Sequence, residues 1–175
     1  MKSRSSLPDP LLAWINRMLD DPKNFDTQLK GRSVLVYEPR DSNEDSSSGH
    51  RLRTSSGVTN SVIGGGDPVV CLLEKSKDNV FQRRVTMGRT TNNDIVLDDA
   101  SVSRFHGWLQ KDDGSGKWTL TDAGSKNGTW VSSTKLQPKK PVILENGARL
   151  RVGSLELTFY TAQGFKSLIQ QRSTG

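Results

Sequence analysis

The chain has 175 residues, enough for one domain of ordinary size together with some additional unstructured length. Only 32% of the residues are hydrophobic. The formal net charge of +6 favours an anionic partner: nucleic acid, an anionic membrane surface or a phosphorylated protein. The single cysteine, Cys71, excludes an intrachain disulfide and a two-cysteine metal site, and it fits a reducing, cytoplasmic compartment. No run reaches the ~18 apolar residues of a membrane helix, and the N-terminus has no signal-peptide cleavage pattern, so we expect neither membrane insertion nor secretion.

Residues 1–37 are predicted to form a short helical and extended segment. Apolar residues from Leu11 to Leu19 fit one stripe of a helix that is opened by Pro8 to Pro10 and that ends before Pro22. This helix docks on the main domain, remains a nascent helix or binds a partner. The run SVLVY at 33–37 is either a strand or an element that pairs with an available sheet edge.

Residues 38–66 are rich in Ser, Gly and mixed charge and are predicted to be a disordered, flexible linker. Such a segment cannot bury enough apolar surface to offset the cost of ordering its backbone. His50 has no second ligand nearby, so we expect no metal there. Thr54 follows Arg51 and Arg53, a pattern that suits some kinases.

Residues 67–162 carry short apolar or alternating runs every 8–12 residues, separated by turn signals such as Asn-Gly and Asp-Gly. Many short strands with tight turns at this spacing predict an all-β, antiparallel sandwich. The nine predicted strands are 69–73, 80–87, 94–97, 106–110, 118–121, 129–131, 142–144, 149–152 and 155–160. The C-terminal tail, 163–175, is expected to add a short helix.

Signatures of catalysis are weak in this sequence. The stretch DGSGKW at 113–118 lacks the first glycine and the final Ser/Thr of a P-loop, and Gly64–Gly66 opens no helix. Only His50 and His106 are available to a nucleophilic triad, and no cluster of His and Cys predicts a metal site. We therefore predict a protein that is not an enzyme and that holds no cofactor and no metal.

Three polar stretches in the β region are expected to meet at one end of the sandwich: Gly88-Arg89, Ser103-Arg104-Phe105-His106 and Lys126-Asn127-Gly128. Here Gly88 is expected to permit an unusual backbone conformation after a strand. Each stretch alone could be a good turn, and His106 alone a packed histidine. Together the stretches would present two guanidiniums, a hydroxyl, an ammonium and a carboxamide. This set suits a tetrahedral dianion held by charge-assisted hydrogen bonds.

With these motifs in view, residues 67–160 resemble a forkhead-associated (FHA) domain. The resemblance rests on Gly88-Arg89, on NDIVL at 93–97, on SRFH at 103–106 and on Asn127-Gly128. The segment DAGSKNGTWV and the later segment LENGARLRVGSLELTF also resemble sequences of the family. The resemblance covers a little over half of the chain and says nothing about residues 1–66.

The resemblance implies a β-sandwich of about eleven strands, here preceded by a short helix and a flexible linker, that binds phosphothreonine peptides through its loops. By similarity, Arg89 and Ser103 would contact the phosphate directly, and Arg104 would add a backbone or side-chain contact. Lys126 stands where the family often has a phosphate-contacting residue, commonly a threonine. Asn127 would bond the peptide backbone on the C-terminal side of the phosphothreonine. Three further residues would shape and brace the loops: Gly88, His106 and Gly128.

The sequence therefore predicts a non-catalytic phosphothreonine-binding module that recruits or regulates a phosphorylated protein in Ser/Thr kinase signalling. A Ser/Thr kinase or one of its substrates is a candidate partner. The alternative is a phospho-independent interaction scaffold in a larger assembly. Nucleic acid is not expected as a partner, because Trp108, Trp118 and Trp130 fall in strand patterns rather than on a basic stacking face. A phosphorylated linker could also occupy the pocket of its own chain or of a second copy.

Overall fold

The computed structural model describes residues 9–39, 51–53, 68–75 and 79–174. These residues form thirteen strands and three helices. The helices are α1 (Leu11–Asp20), α2 (Pro22–Leu29) and α3 (Ala162–Ser173). The strands are β1 (Asp9–Pro10), β2 (Val34–Tyr37), β3 (Arg51–Arg53), β4 (Val69–Leu72), β5 (Val85–Gly88), β6 (Ile95–Asp98), β7 (Gly107–Lys111), β8 (Trp118–Asp122), β9 (Thr129–Val131), β10 (Thr134–Lys135), β11 (Val142–Leu144), β12 (Arg149–Val152) and β13 (Leu155–Tyr160).

The strands form two sheets that face each other, as predicted. The first sheet has the order β1-β4-β2-β13-β12-β9-β10, and the second has the order β11-β8-β7-β5-β6-β3. Side chains from both sheets meet in one apolar core that includes Leu35, Met87, Leu109, Leu120 and Phe159. Strand β12 shows the alternation that builds this core, since its arginines are exposed and its Leu and Val are buried. The predicted all-β sandwich is confirmed.

One pair of strands departs from the predicted antiparallel arrangement. Strands β5 and β6 are parallel, with Met87 opposite Ile95 and Gly88 opposite Val96. The end of β5 is thus paired with the start of β6, so the chain turns aside and then runs on in the same direction. This stagger explains why the short loop 89–94 is enough, although parallel strands lying side by side need a much longer crossover.

The N-terminal segment is built into the sandwich. Strand β2 lies between β4 and β13 in the first sheet, where Leu35 is opposite both Cys71 and Phe159. All four residues of β2 are buried, because one face of the strand meets the sandwich core and the other lies under the helices. Of the three alternatives for the predicted helix, the structure shows docking on the main domain.

The three helices cover the outer face of the first sheet with an aromatic cluster. Trp14 of α1 lies with its ring centroid 5.6 Å from that of Phe25 in α2 and 5.5 Å from that of Phe165 in α3. Both contacts are edge-on, the arrangement that aromatic quadrupoles favour. The predicted C-terminal helix is confirmed as α3, and Val34 and Val36 supply the apolar sheet surface beneath the cluster.

Helix α2 was not predicted, because Pro22 reads as the end of a helix. In the structure Pro22 begins α2, and the preceding Asp21 accepts a hydrogen bond from the Asn24 backbone N–H at 3.1 Å. Proline is favoured at the first helical position, where its missing N–H has no partner to lose. The same residue can therefore mark either a stop or a start.

The linker predicted at 38–66 lies mostly outside the described residues, and so do His50 and Thr54. Within it the structure describes β3, which pairs with β6 at the edge of the second sheet, Arg51 opposite Asp98. That part of the prediction was wrong, since a Ser-rich stretch gives little sign of a three-residue edge strand. Across the described ranges, no helix has the length and apolar character needed to span a bilayer.

Candidate functional site

Three loops meet at one end of the sandwich and enclose an open cleft of about 870 Å³. They are loop 89–94 after β5, loop 99–106 between β6 and β7, and loop 123–128 between β8 and β9. The cleft is lined by all five residues predicted to contact a ligand: Arg89, Ser103, Arg104, Lys126 and Asn127. The remaining lining residues are Thr90, Asn92, Ala100, Ser101, Val102, Phe105 and Gly124.

Arg89 is held in place at the root of its side chain. Its backbone N–H donates to the carbonyl of Ser103 at 2.9 Å, and its Nε donates to the carbonyl of Val102 at 3.1 Å. Within the described part of the chain the two terminal nitrogens of the guanidinium have no acceptor. The side chain is thus oriented by loop 99–106, while its outer donors remain available at the cleft.

Ser103 and Asn127 join two of the loops across the cleft. The Ser103 Oγ accepts a hydrogen bond from the backbone N–H of Lys126 at 3.0 Å, which leaves the hydroxyl proton free to be donated. The side-chain amide of Asn127 donates to the carbonyl of Ser101 at 2.7 Å. Ser103, Lys126 and Asn127 all line the cleft.

Arg104 is fixed through its backbone, and its guanidinium is exposed. Its carbonyl accepts from Thr90 Oγ1 at 2.9 Å and from Asn93 Nδ2 at 2.8 Å. The Asn93 side chain also donates to the carbonyl of Thr90, and the residue is only 2% exposed. Sequence reasoning used Asn93 only as part of the NDIVL motif and missed this role, because the acceptor lies in a different loop.

The electrostatics of the cleft favour an anion. Arg89, Arg104 and Lys126 bring three positive charges, and among the residues that the structure describes no carboxylate lines the cleft. None of these three cations forms an ion pair within the described ranges. Unpaired cations beside a hydroxyl and amide donors suit an anion with several oxygens. No group of three His, Cys, Asp or Glu side chains in the described ranges could hold a metal ion.

Gly88 is needed for space rather than for an unusual backbone. It lies at the end of β5, and it is not one of the glycines with a positive φ. A Cβ atom at this position would overlap the carbonyl oxygen of Arg104 and lie 2.9 Å from Asn93 Nδ2. The expectation of an unusual conformation was therefore wrong; the close approach of loop 99–106 requires the glycine.

His106 ties two of the loops together from inside the protein. The side chain is fully buried; its Nδ1 accepts from the backbone N–H of Ser103 at 3.0 Å, and its Nε2 donates to the carbonyl of Gly128 at 3.1 Å. These bonds define the neutral tautomer protonated on Nε2. Burial lowers the pKa of His106 below 6.5, and it outweighs the Gly128 carbonyl and the Asp122 charge, which raise the pKa.

The third loop depends on Gly128 and on Asp122, a residue that sequence reasoning missed. Gly128 has a φ of +85°, and a Cβ there would lie 2.9 Å from Lys135 Cε. The Asp122 carboxylate accepts from the Ser125 hydroxyl at 2.6 Å and from the Thr129 hydroxyl at 2.6 Å. Burial raises the pKa of Asp122, but hydrogen bonds from Ser125, Thr129 and backbone N–H groups outweigh burial and lower it. An Asp at the start of a turn was the available signal.

The surroundings of the tryptophans bear on the sequence argument against nucleic acid. The Arg151 guanidinium lies 3.6 Å from the centroid of the Trp130 ring, and the Arg84 guanidinium lies 4.7 Å from that of Trp108. The predicted strand positions of Trp108, Trp118 and Trp130 are nevertheless confirmed, because they lie in β7, β8 and β9. The absence of nucleic acid among the partners stays a prediction.

Comparison with known proteins agrees with this architecture. Residues 85–153 match the FHA domain family. Over 74 residues the chain is 38% identical to the oxoglutarate dehydrogenase inhibitor of Corynebacterium diphtheriae, covering 42% of this chain and 48% of that protein. Over 80 residues it is 35% identical to the glycogen accumulation regulator GarA of Mycolicibacterium smegmatis, covering 46% of this chain and 48% of that protein.

The chain thus spans about half the length of the curated relatives it matches. An engineered FHA domain solved with a Myc-pTBD peptide aligns with a TM-score of 0.50 at 17% identity, covering 79% of this chain and 98% of that one. This likeness concerns the fold alone. The chain contains an FHA domain, as the motifs around Arg89 and Ser103 predicted.

Proposed function

We propose that the chain is a non-catalytic phosphothreonine-binding module that recruits or regulates a phosphorylated protein. The observation that carries the proposal is the cleft in its FHA domain, where Arg89, Arg104 and Lys126 converge with the Ser103 hydroxyl and no carboxylate opposes them among the described residues. A phosphothreonine carries about −1.5 to −2 charges at neutral pH and three acceptor oxygens. The donors of the cleft match that chemistry.

The site residues have distinct roles in this proposal. Arg89 and Ser103 bind the phosphate oxygens, because the Arg89 guanidinium is oriented by Val102 and the Ser103 hydroxyl keeps its proton. Arg104 and Lys126 add charge at the rim. Asn127 bonds the peptide backbone. Three residues hold this arrangement from below: Gly88, His106 and Gly128.

The names of the relatives support a regulatory role within a cell. One is an inhibitor of oxoglutarate dehydrogenase and another a regulator of glycogen accumulation. By analogy the chain acts on a partner by binding it, in the cytoplasm and downstream of a Ser/Thr kinase. The partner is the phosphorylated kinase itself or one of its substrates.

The test is a titration of the full chain with degenerate phosphothreonine, phosphoserine and threonine peptide libraries. We expect selective binding of the phosphothreonine library. Arg89→Ala should weaken that binding at least about tenfold, since a hydrogen bond to a charged group is worth about 1.5–3 kcal/mol. Arg149→Ala is the matched control, because it removes an exposed arginine from β12, outside the cleft.

Two outcomes would contradict the proposal. If folded Arg89→Ala bound as tightly as the wild type, the cleft would not be the phosphate site. Equal binding of phosphorylated and unphosphorylated peptides would favour the alternative of a phospho-independent interaction scaffold.

Self-association through a phosphorylated linker is a further part of the proposal. It is motivated by the Ser and Thr content of residues 38–66, including Thr54. Treatment with a threonine kinase should then lower the affinity for added phosphopeptide or raise the mass of the complex measured by light scattering. Phosphorylation with neither change would remove this idea.

A further inference from the structure

Beside the cleft, three aromatic rings stack in a row. Phe105 is the middle ring: its centroid lies 5.7 Å from that of Phe81 and 6.1 Å from that of Trp108, with interplanar angles of 24° and 18°. We call Phe81, Phe105 and Trp108 the aromatic ladder. Phe81 is 46% exposed and Phe105 is 38% exposed. The ladder is thus a surface feature and not part of either apolar core.

The ladder is continuous with the cleft through Phe105, which lines both. Along loop 99–106 the contacts across the cleft come in order: Ser101 meets Asn127 and Ser103 meets Lys126. Arg104 then meets Thr90, and Phe105 follows directly. The cleft therefore has an Asn127 end and a Thr90 end, and the ladder begins beyond the Thr90 end.

The aromatic ladder and the cationic cleft beside it suit a ligand that carries an apolar group next to an anionic group. Val80, Phe81 and Phe105 are three of the six large hydrophobic side chains exposed among the described residues, and they share this region. Arg84 covers part of the Trp108 ring. Exposed aromatic side chains beside arginine are the composition that interfaces favour.

We propose that the aromatic ladder is a second subsite of the cleft, which binds apolar side chains of the phosphopeptide. The inference rests on the proposed phosphothreonine function. Because Asn127 is assigned to the peptide on the C-terminal side of the phosphothreonine, the ladder at the opposite end takes the residues before it. The two ring spacings, 5.7 and 6.1 Å, together match about three to four residues of extended chain at ~3.3 Å per residue. The ladder therefore serves roughly the three residues that precede the phosphothreonine.

The experiment compares matched phosphothreonine peptides by fluorescence anisotropy with the full chain. One series carries Phe or Leu at each of the three positions before the phosphothreonine, and a second series carries Ser there. Both are repeated for the three positions after it. We expect the wild type to prefer the apolar peptide about two- to tenfold at one or more preceding positions, the range that one aromatic contact provides.

Phe81→Ala is the decisive variant, because Phe81 lies in the ladder but does not line the cleft. We expect its preference ratio to fall to about one and Phe81→Leu to restore part of it. Ile143→Ala is the matched control: it removes another exposed apolar side chain, 52% exposed on β11, and should keep the wild-type ratio. A ladder that only stabilised the fold would shift the melting temperature of Phe81→Ala and leave the ratio unchanged.

The outcomes separate this inference from the function on which it rests. Two results would overturn the ladder subsite alone, provided that the Ser-flanked phosphothreonine peptide binds. One is that the wild type shows no preference for an apolar residue before the phosphothreonine. The other is that this preference persists in Phe81→Ala. Failure of every phosphopeptide to bind overturns both proposals. Binding of a single-stranded DNA oligonucleotide that Phe81→Ala abolishes would assign the ladder to base stacking instead.

Discussion

The aromatic cluster under the helices and the cationic cleft use side chains of the protein in opposite ways. Trp14, Phe25 and Phe165 are at most 2% exposed, and their contacts join three helices to the first sheet. In the cleft, Arg89 and Lys126 are exposed and carry charges that no described residue neutralises. The cluster contributes to the free energy of folding through burial, whereas the cleft side chains stay available for a ligand.

Three buried residues combine features of both regions. Gly88, Asn93 and His106 are buried, yet each holds a loop of the cleft through space or hydrogen bonds. Substitution of an exposed cleft residue should therefore change binding alone, and substitution in the aromatic cluster should change stability alone. Substitution of one of these three residues should change both binding and stability.

The largest expected effect tests whether the helical side belongs to the folded unit. We expect a chain truncated to residues 67–175 not to fold, because β4 and β13 would lose β2, the strand between them. Circular dichroism and size-exclusion chromatography would show this, with a chain that begins at Asp9 as the folded control. A folded, cooperative 67–175 fragment would show that the helical side is dispensable.

The next largest effect is expected from a single substitution in the aromatic cluster. Trp14→Ala should lower the free energy of unfolding by about 3–5 kcal/mol, the usual cost of removing a fully buried large aromatic side chain. Trp14→Phe should cost much less, because the Trp14 Nε1 has no hydrogen-bond partner among the described residues. Urea denaturation measures both values. Unchanged phosphopeptide affinity of the folded variants is expected, and a large loss of affinity would mean that the cluster and the cleft are coupled.

Gly88→Ala should change both properties. A new Cβ would overlap the Arg104 carbonyl, and forcing a methyl group into a packed site typically costs about 1–3 kcal/mol. Displacement of loop 99–106 should also weaken phosphopeptide binding. Gly114→Ala is the control, since its Cβ would make only an ordinary contact of 3.5 Å. A fully stable Gly88→Ala that binds normally would show that the loop can move without loss.

The smallest expected effect is a dependence of stability on pH. Because the pKa of His106 is lowered in the folded protein, the unfolded chain binds the extra proton first as the pH falls. Stability should thus be complete above the ordinary value of 6.5 and should decrease below it until the folded pKa is passed. Denaturation at pH 7.5 and 5.5 measures this difference. His106→Asn should be less stable but should lose much of the difference, and an unchanged difference would assign it to other groups.

Much of the sandwich could be predicted from local patterns. The predicted strands at 129–131, 142–144, 149–152 and 155–160 coincide with β9, β11, β12 and β13. Period-two alternation and turn residues are properties of neighbouring residues, so they are visible along the chain. Strand β5 begins at Val85 rather than at residue 80, since Val80 and Phe81 are exposed instead of buried in the sheet.

The residues that line the cleft could be named from the sequence, but some of the residues that hold its loops in place could not. Arg89, Ser103 and Asn127 stand in recognisable motifs, and all three line the cleft. The hydrogen bonds of Asn93 to the Arg104 carbonyl and of Asp122 to Ser125 and Thr129 were not visible, because either residue reads as an ordinary turn former.

By itself, the sequence determined the all-β class, the presence of an FHA domain and the identity of the charged donors. These depend on local periodicity and on short motifs, which the order of residues carries directly. Only the tertiary structure decided that β2 lies inside the first sheet, that Gly88 is needed for space and that Phe81, Phe105 and Trp108 form one surface. Each of these depends on which distant segments meet, and that is settled by packing of the whole chain rather than by any window of it.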